Sequence, residues 1–362
     1  MEFLYNNFIA DFFAWCLNGI NSLVGNYWVA IIILTVLIRL AMLPLDLRQR
    51  RNQAKMSALG PEINSLKKRY ANNPQQLQRK QQELYRKMNV RPMAGCLPML
   101  IQLPILFAFF GAMRLLQTQQ MVGLILDTAQ YGADAVQLPG FLWVRNFWQP
   151  DSGLADIMPT AQEFLKFVQQ YSANITPQAM SLLQSQDLLI YSGNLVSVNT
   201  QVYNELAQSV MVSSGVPAQI VGNEVVAEFK NGWFILPALS GLALFLQQKF
   251  SPQSSANSMM GMNMGQDDQS KEQQDAQGCS NKVMMWVMPI FSIYICVTSP
   301  ASFALYWFVS SMYAFAQSRV IGFVQKKKEE RNKLIVSPVP DVEPQKVEAA
   351  DAIKKQGKKK KK

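Results

Sequence analysis

The sequence predicts an all-α polytopic membrane protein with five transmembrane helices. Three observations predict it. About half of the 362 residues are hydrophobic, and they are gathered into blocks instead of being spread at the period of an amphipathic helix or strand. Five of these blocks approach the ~20 residues that cross ~30 Å of hydrocarbon. Basic residues concentrate in alternate loops between them, as the retention of Lys and Arg on the cytoplasmic side requires.

The blocks fall at 27–47, 93–118, 232–249, 283–298 and 301–324. The third and fourth are short and suit a locally thinned bilayer. The 48–92 loop holds twelve Lys/Arg and two acids, and 119–231 holds three Lys/Arg and nine acids. From Lys326 onward the tail holds thirteen Lys/Arg. These counts place the N-terminus outside, 48–92 in the cytoplasm, 119–231 outside and the 325–362 tail in the cytoplasm. The 250–282 loop is nearly neutral and falls inside by parity.

Residues 1–26 lack the basic n-region of a signal peptide, since no Lys or Arg precedes Arg39. They read as a retained amphipathic helix on the external membrane face, with a removed signal as the alternative. Within 48–92, Pro61 suits a first helical position. Leu59, Ile63, Leu66 and Tyr70 then follow helical spacing, "ANNPQQ" marks a turn, and Leu77, Leu84 and Met88 resume the seam. The reading is a cytoplasmic basic helical hairpin, either a solvated spacer or a contact for anionic lipid, nascent chain or ribosomal RNA. The 119–231 segment is too long to lack structure. "PTAQEFLKFVQQYSANITPQAMSLLQSQ" looks helical, with Phe164, Phe167 and Val168 on one face, and "GVPAQIVGNEVVAEFK" looks like short strands with turns, giving a small folded insert. The Met-rich 250–282 loop and the lysine tail have low-complexity composition.

Histidine is absent, which removes the Ser-His-Asp triad, Cys-His pairs and histidine metal sites. Cys16, Cys96, Cys279 and Cys296 lack metal-ligand or redox spacing. No catalytic residue, metal or cofactor is expected. Polar residues within the blocks carry the functional signal instead. "AIIILTVLIRLAMLPL" contains Arg39 with no acid in that stretch to pair it. An arginine at mid-membrane costs roughly 2.5–3.5 kcal/mol on insertion scales. One reading is a side chain reaching back to the inner interface, ~12 Å away. The other is a hydrated cavity, favoured by Thr35 on the same face and by Gln102, Gln247, Pro98, Pro104, Pro237, Pro289 and Pro300 within the blocks.

The run "GPEINSLKKRYANNPQQLQRKQQELYRKMNVRPMAGCLPMLIQLPILFAFF" resembles the signature region of the YidC/Oxa/Alb family of membrane protein insertases. "MP…SPASFALYWFVSS" is similar to the family's last hairpin. The resemblance covers the five blocks and both cytoplasmic loops. It implies five helices around a hydrophilic groove that opens to cytoplasm and lipid and is closed outside. Carried over residue by residue, the groove and substrate contacts fall on Arg39, Thr35, Gln102, Gln247, Tyr306 and Trp307. A hydrophobic slide along the second and fourth spans falls on Leu106, Phe109 and Phe291. The implied partners are nascent membrane proteins, the Sec translocon, the ribosome and anionic lipid, without DNA, in a bacterial plasma membrane. The long 119–231 segment and "PASFALYW" in place of "PAGLALYW" depart from the family's pattern. The lack of the large extra domain and first span of Gram-negative members points to a Gram-positive-type member. A small solute transporter or channel is the alternative function, although no inverted repeat is visible. An intramembrane protease would need paired aspartates within the spans, which are absent.

Overall fold

The computed structural model describes residues 8–88, 97–170, 175–192, 195–250 and 286–335. The protein is mostly helical. Helix α1 (Phe8–Val24) buries Ala10, Phe13, Ala14 and Leu17, one stripe at helical spacing. Its opposite face leaves Phe8, Ile9, Phe12 and Trp15 exposed, so α1 is apolar on both sides. Gly25, at φ 68°, ends it by donating its N–H to the Asn21 carbonyl. The Asn26 side chain then accepts from Trp28 N and starts α2 (Tyr27–Ala58).

Helix α2 is one element through Ala58, so the helix continues eleven residues beyond the apolar block expected to stop at 47. "RQRRNQAKMSA" is rich in Arg, Gln, Lys, Ala and Met, all good helix formers, and nothing in it breaks a helix already begun. The expected hairpin follows as α3 (Gly60–Arg69) and α4 (Pro74–Lys87). Each starts with proline in its first turn, and the Asn73 side chain accepts from Gln76 N at 3.0 Å. Lys67, Lys68 and Arg69 end α3, and Arg86 and Lys87 end α4, where cations complement the helix dipole. Leu59 is buried, Ile63, Leu66, Tyr70, Leu77 and Leu84 are half-buried, and Met88 is exposed.

Helix α5 (Leu97–Tyr131) extends thirteen residues past the predicted end at 118, because Met121, Val122, Leu124, Ile125 and Leu126 are buried and packed. Those residues form part of the core of the inserted segment, which contains α6 (Ala161–Gln170), α7 (Pro177–Ser185) and α8 (Thr200–Ser213). Two antiparallel hairpins complete it. Strand β1 (Leu189–Ser192) pairs with β2 (Leu195–Val198), and β3 (Ala218–Val221) pairs with β4 (Glu224–Ala227). Thr160 and Glu163 cap α6 reciprocally. Tyr203 of α8 is buried against Phe164 and donates to the Pro159 carbonyl at 2.5 Å. Buried residues of α1, α2, α5, the insert and α11 make one continuous apolar core.

The remaining helices are α9 (Ile235–Phe250), α10 (Trp286–Thr298) and α11 (Ala301–Ile335). Helix α11 continues eleven residues past the expected end at 324, through a run of Lys, Glu, Arg and Gln that favours helix. The chain divides into compact units at Ala316/Gln317. Among the described residues, Tyr27–Asn52 is the one helix long and apolar enough to cross a membrane, while Phe8–Val24 and Trp286–Thr298 are shorter apolar helices. Most of the Met-rich loop and tail lies outside the described residues, as do Cys96 and Cys279. The in-block prolines divide by position. Pro98, Pro237 and Pro300 sit in or just before a first helical turn, where the missing N–H has no helical role. Pro104 is interior to α5, as is Pro44 to α2.

One segment, 146–152, fastens the starts of α9 and α11 and the middle of α5. Gln117 of α5 donates to the Trp148 carbonyl at 2.6 Å. The Gln149 and Phe147 carbonyls accept from Ala301 N and Ser302 N, the first amides of α11. The fully buried Asp151 carboxylate accepts from Trp233 N at 2.8 Å, Leu236 N at 2.7 Å and Trp143 Nε1 at 3.1 Å, and so caps α9. Asn146 and Asn231 lock the same segment by exchanging bonds. Asn146 N donates to Asn231 Oδ1, and Asn231 Nδ2 donates to the carbonyls of Asn146 and Pro150. Gly232 must be glycine here, because a Cβ would overlap the Asp151 carboxylate.

Replacing Asp151 with Ala strands three donors and should cost about 2–4 kcal/mol of stability, read from chemical unfolding in detergent, with Asn losing less. Burial pushes the Tyr203 hydroxyl above the usual tyrosine value of about 10. The unfolded chain therefore ionises first, and Tyr203's contribution is whole below about pH 10 and is lost above it. Unfolding midpoints on either side of pH ~10 should fall more steeply for wild type than for Y203F.

Candidate functional site

Helices α2, α5 and α11 bring four polar side chains into one chain of hydrogen bonds. Arg39 of α2 donates through Nε to Ser310 Oγ of α11 at 3.0 Å, and its Nη2 donates to the same oxygen. Tyr306 lies one turn before Ser310 on the same face of α11, and its hydroxyl has Ser310 and Gln102 of α5 as hydrogen-bond partners. Arg39 is half-buried, and Tyr306 and Ser310 are buried. Stacked rings hold the geometry. Phe109 lies on Tyr306 with ring centroids 3.8 Å apart and planes 15° from parallel, and Phe13 of α1 meets Phe109 with centroids 5.7 Å apart. Phe110 meets Phe303 edge-on at 5.0 Å.

The charge at this site has no anionic partner among the described residues. Helix α2 does contain one acid, Asp46, but its electrostatic interaction is with Arg50, one turn further on. A guanidinium held by a hydroxyl keeps its full positive charge, and a half-buried site screens that charge less than water does. The arrangement suits attraction of an anionic group and offers no nucleophile paired with a base.

The sequence-derived site residues separate into those joined to this chain and those outside it. Arg39, Gln102 and Tyr306 are joined. Thr35 is buried one turn from Arg39, but its hydroxyl donates to the Ile31 carbonyl of its own helix at 2.6 Å. Trp307 is half-buried against Phe303, and its Nε1 has no hydrogen-bond partner among the described residues. Gln247 is half-buried in the last turn of α9 and makes no hydrogen bond to Arg39, Tyr306 or Gln102. Leu106 is half-buried on α5 and Phe291 is 53% exposed on α10. Phe109, expected beside them on a sliding surface, is fully buried. Its ring supports Tyr306, because the helix turn that exposes Phe107 directs Phe109 inward. A cavity of ≈ 440 Å³ lies elsewhere, along Gln120, Asp127, Tyr131 and Pro139.

Sequence reading missed Ser310 and the Asp151 network. Ser310 follows Tyr306 by four residues, so their shared helical face was a readable signal, but small hydroxyl residues are common in membrane helices and "VSSMY" offers two adjacent serines. Asp151 sits in "FWQPDSG", whose turn residues signal a loop and say nothing of its partners at 233 and 236.

The family model for the 60Kd inner membrane protein matches residues 19–329. The chain belongs to that family. Among its relatives is the membrane protein insertase YidC of Fusobacterium nucleatum, 29% identical over 327 residues, covering 90% of this chain and 99% of the relative. The Clostridium perfringens protein of the same name is 41% identical over 127 residues, covering 35% of this chain and 46% of the relative. That of Clostridium tetani is 34% identical over 163 residues, 44% of this chain and 66% of the relative. Family membership makes this chain an inner-membrane-type protein and agrees with the resemblance carried by the hairpin and "GCLPMLIQLPILF".

Phe109→Ala removes a fully buried ring in contact with both Phe13 and Tyr306. It should cost about 3–5 kcal/mol by unfolding in detergent, with Phe109→Leu costing less.

Proposed function

We propose that this chain inserts hydrophobic segments of newly made proteins into the bacterial plasma membrane, without ATP and without making or breaking bonds. The unpaired charge of Arg39 in the Arg39–Ser310–Tyr306–Gln102 chain carries the reading. The names of the relatives support the substrate class. Five spans run from an external N-terminus to a cytoplasmic tail and surround a hydrophilic groove. A substrate's short anionic tail enters that groove from the cytoplasm and is drawn to Arg39, where the lower effective dielectric strengthens the attraction. Thr35, Gln247 and Trp307 add polar or amphipathic surface along its course. The substrate's apolar segment passes along Leu106 and Phe291 into lipid, while Phe109 keeps Tyr306 in place. Burial of apolar surface at roughly 25 cal/mol per Å² drives the transfer.

The basic faces of α3 and α4 and the lysine tail gather substrates at anionic lipid and at the ribosome, and the Sec translocon hands over longer ones.

The test replaces Arg39 with Ala, Lys and Glu in cells depleted of their own insertase and follows a single-span substrate with an acidic tail. Ala should lower insertion by roughly tenfold, the factor for about 1.4 kcal/mol. Glu should abolish it, and Lys should retain most of it because charge suffices. Insertion by Ala and Glu variants at the wild-type level removes the electrostatic step.

A further inference from the structure

Arg39 is held by a neutral hydroxyl where a buried arginine more often meets a carboxylate. The two donors used, Nε and Nη2, converge on one oxygen, Ser310 Oγ. That fixes the guanidinium plane from one edge and leaves Nη1, at the other edge, to bind a second group. The serine oxygen accepts from both guanidinium nitrogens, so its own hydrogen is left to donate to a further group. Ser310 is 5% exposed and Tyr306 3% exposed, so neither competes for the substrate by reaching solvent. Position 310 therefore determines two properties of Arg39 together: its direction and its net charge.

We propose that Ser310 is a positioning and specificity-determining residue. It orients Arg39 without neutralising it, and this neutrality selects anionic over cationic substrate tails. The inference rests on the insertase reading. A carboxylate at 310 would lie within hydrogen-bond distance of the guanidinium, cancel its charge and repel an acidic tail, while relieving the penalty on a basic one. A residue whose role is packing alone would affect tails of every charge alike.

The test uses the purified full-length chain in liposomes with three single-span substrates that differ in having an acidic, neutral or lysine-containing tail. Ser310→Ala should lower insertion of the acidic-tail substrate several-fold, up to the roughly tenfold of a lost charge-assisted hydrogen bond, and Ser310→Thr should rescue it. Ser310→Asp should lower acidic-tail insertion by roughly tenfold or more, leave the neutral tail near wild type and raise the lysine tail, inverting the preference. Equal changes for all three tails, or wild-type insertion of the acidic tail by both Ala and Asp variants, would overturn the proposal. Should Ser310→Asp fail to assemble, Ser310→Asn carries the test: a neutral acceptor should restore the acidic-tail insertion that Ala loses, and equality of Asn and Ala overturns the idea. Arg39→Ala run in parallel separates the two levels. A defect in Arg39→Ala with none in the Ser310 variants removes the role of Ser310 and leaves the insertase reading intact. No insertion by wild type above empty liposomes removes that reading itself.

Discussion

The Asp151 carboxylate is the interaction on which the arrangement of the helices rests. It is fully buried, it receives three N–H donors, and two of them belong to the start of α9. A buried carboxylate is tolerable only when such donors replace its lost water. The constraint runs both ways. The carboxylate fixes where α9 begins, and it excludes every residue except glycine at 232. It also allows Phe234 to hold a φ of 62°, a strained value for a residue with a side chain, because the flanking amides are anchored. The same segment supplies carbonyls to the first amides of α11 and to Gln117 of α5. Three helices thus begin or pass at positions set by one short loop, 146–152.

Consequences reach the polar chain at the other end of those contacts. Helix α11 starts at Ala301 against that loop, and one continuous helix carries Tyr306 and Ser310 to fixed depths. Helix α5 is fixed by Gln117 and carries Phe109 and Gln102, about two and four turns earlier. The stacking of Phe109 on Tyr306 then sets the rotation of α5 against α11. Arg39 reaches Ser310 from α2, whose own start is fixed by the Asn26 cap and Gly25. A polar chain made from residues 271 positions apart in sequence is thereby assembled by helix ends rather than by any local signal. Close approach adds precision: Gly241 of α9 lies against Ile293 and Pro289 of α10, and Ser240 donates to the Ala304 carbonyl.

Much of this was legible in the sequence. Helix identity followed from apolar blocks, from helical spacing within the hairpin and from Pro61 at a first helical position. The α3–α4 hairpin was readable because its seam is a local period and its turn is marked by "NNP". Arg39 was readable as an unusual residue in its surroundings, and Tyr306 through the family resemblance. Boundaries were less so, since good helix formers beyond Leu47 and Val324, and buried apolar residues beyond Thr118, extend α2, α11 and α5 past the ends of their blocks. The direction of side chains was not readable either. Phe109 and Phe107 have the same character in "LFAFF", and only the placement of Tyr306 makes one a support and leaves the other exposed.

By itself, the sequence determined the elements, the unpaired cation and the charge asymmetry of the loops, because each depends on residue type over one or two helical turns. The tertiary structure alone decided what the cation touches. Ser310, Tyr306 and Gln102 meet Arg39 through the rotation and depth of three separate helices, and those are fixed by a buried carboxylate and its distant amide partners. Hydrogen bonds reach about 3 Å, so which donor finds which acceptor is a property of the packed chain and is written in no single stretch of it.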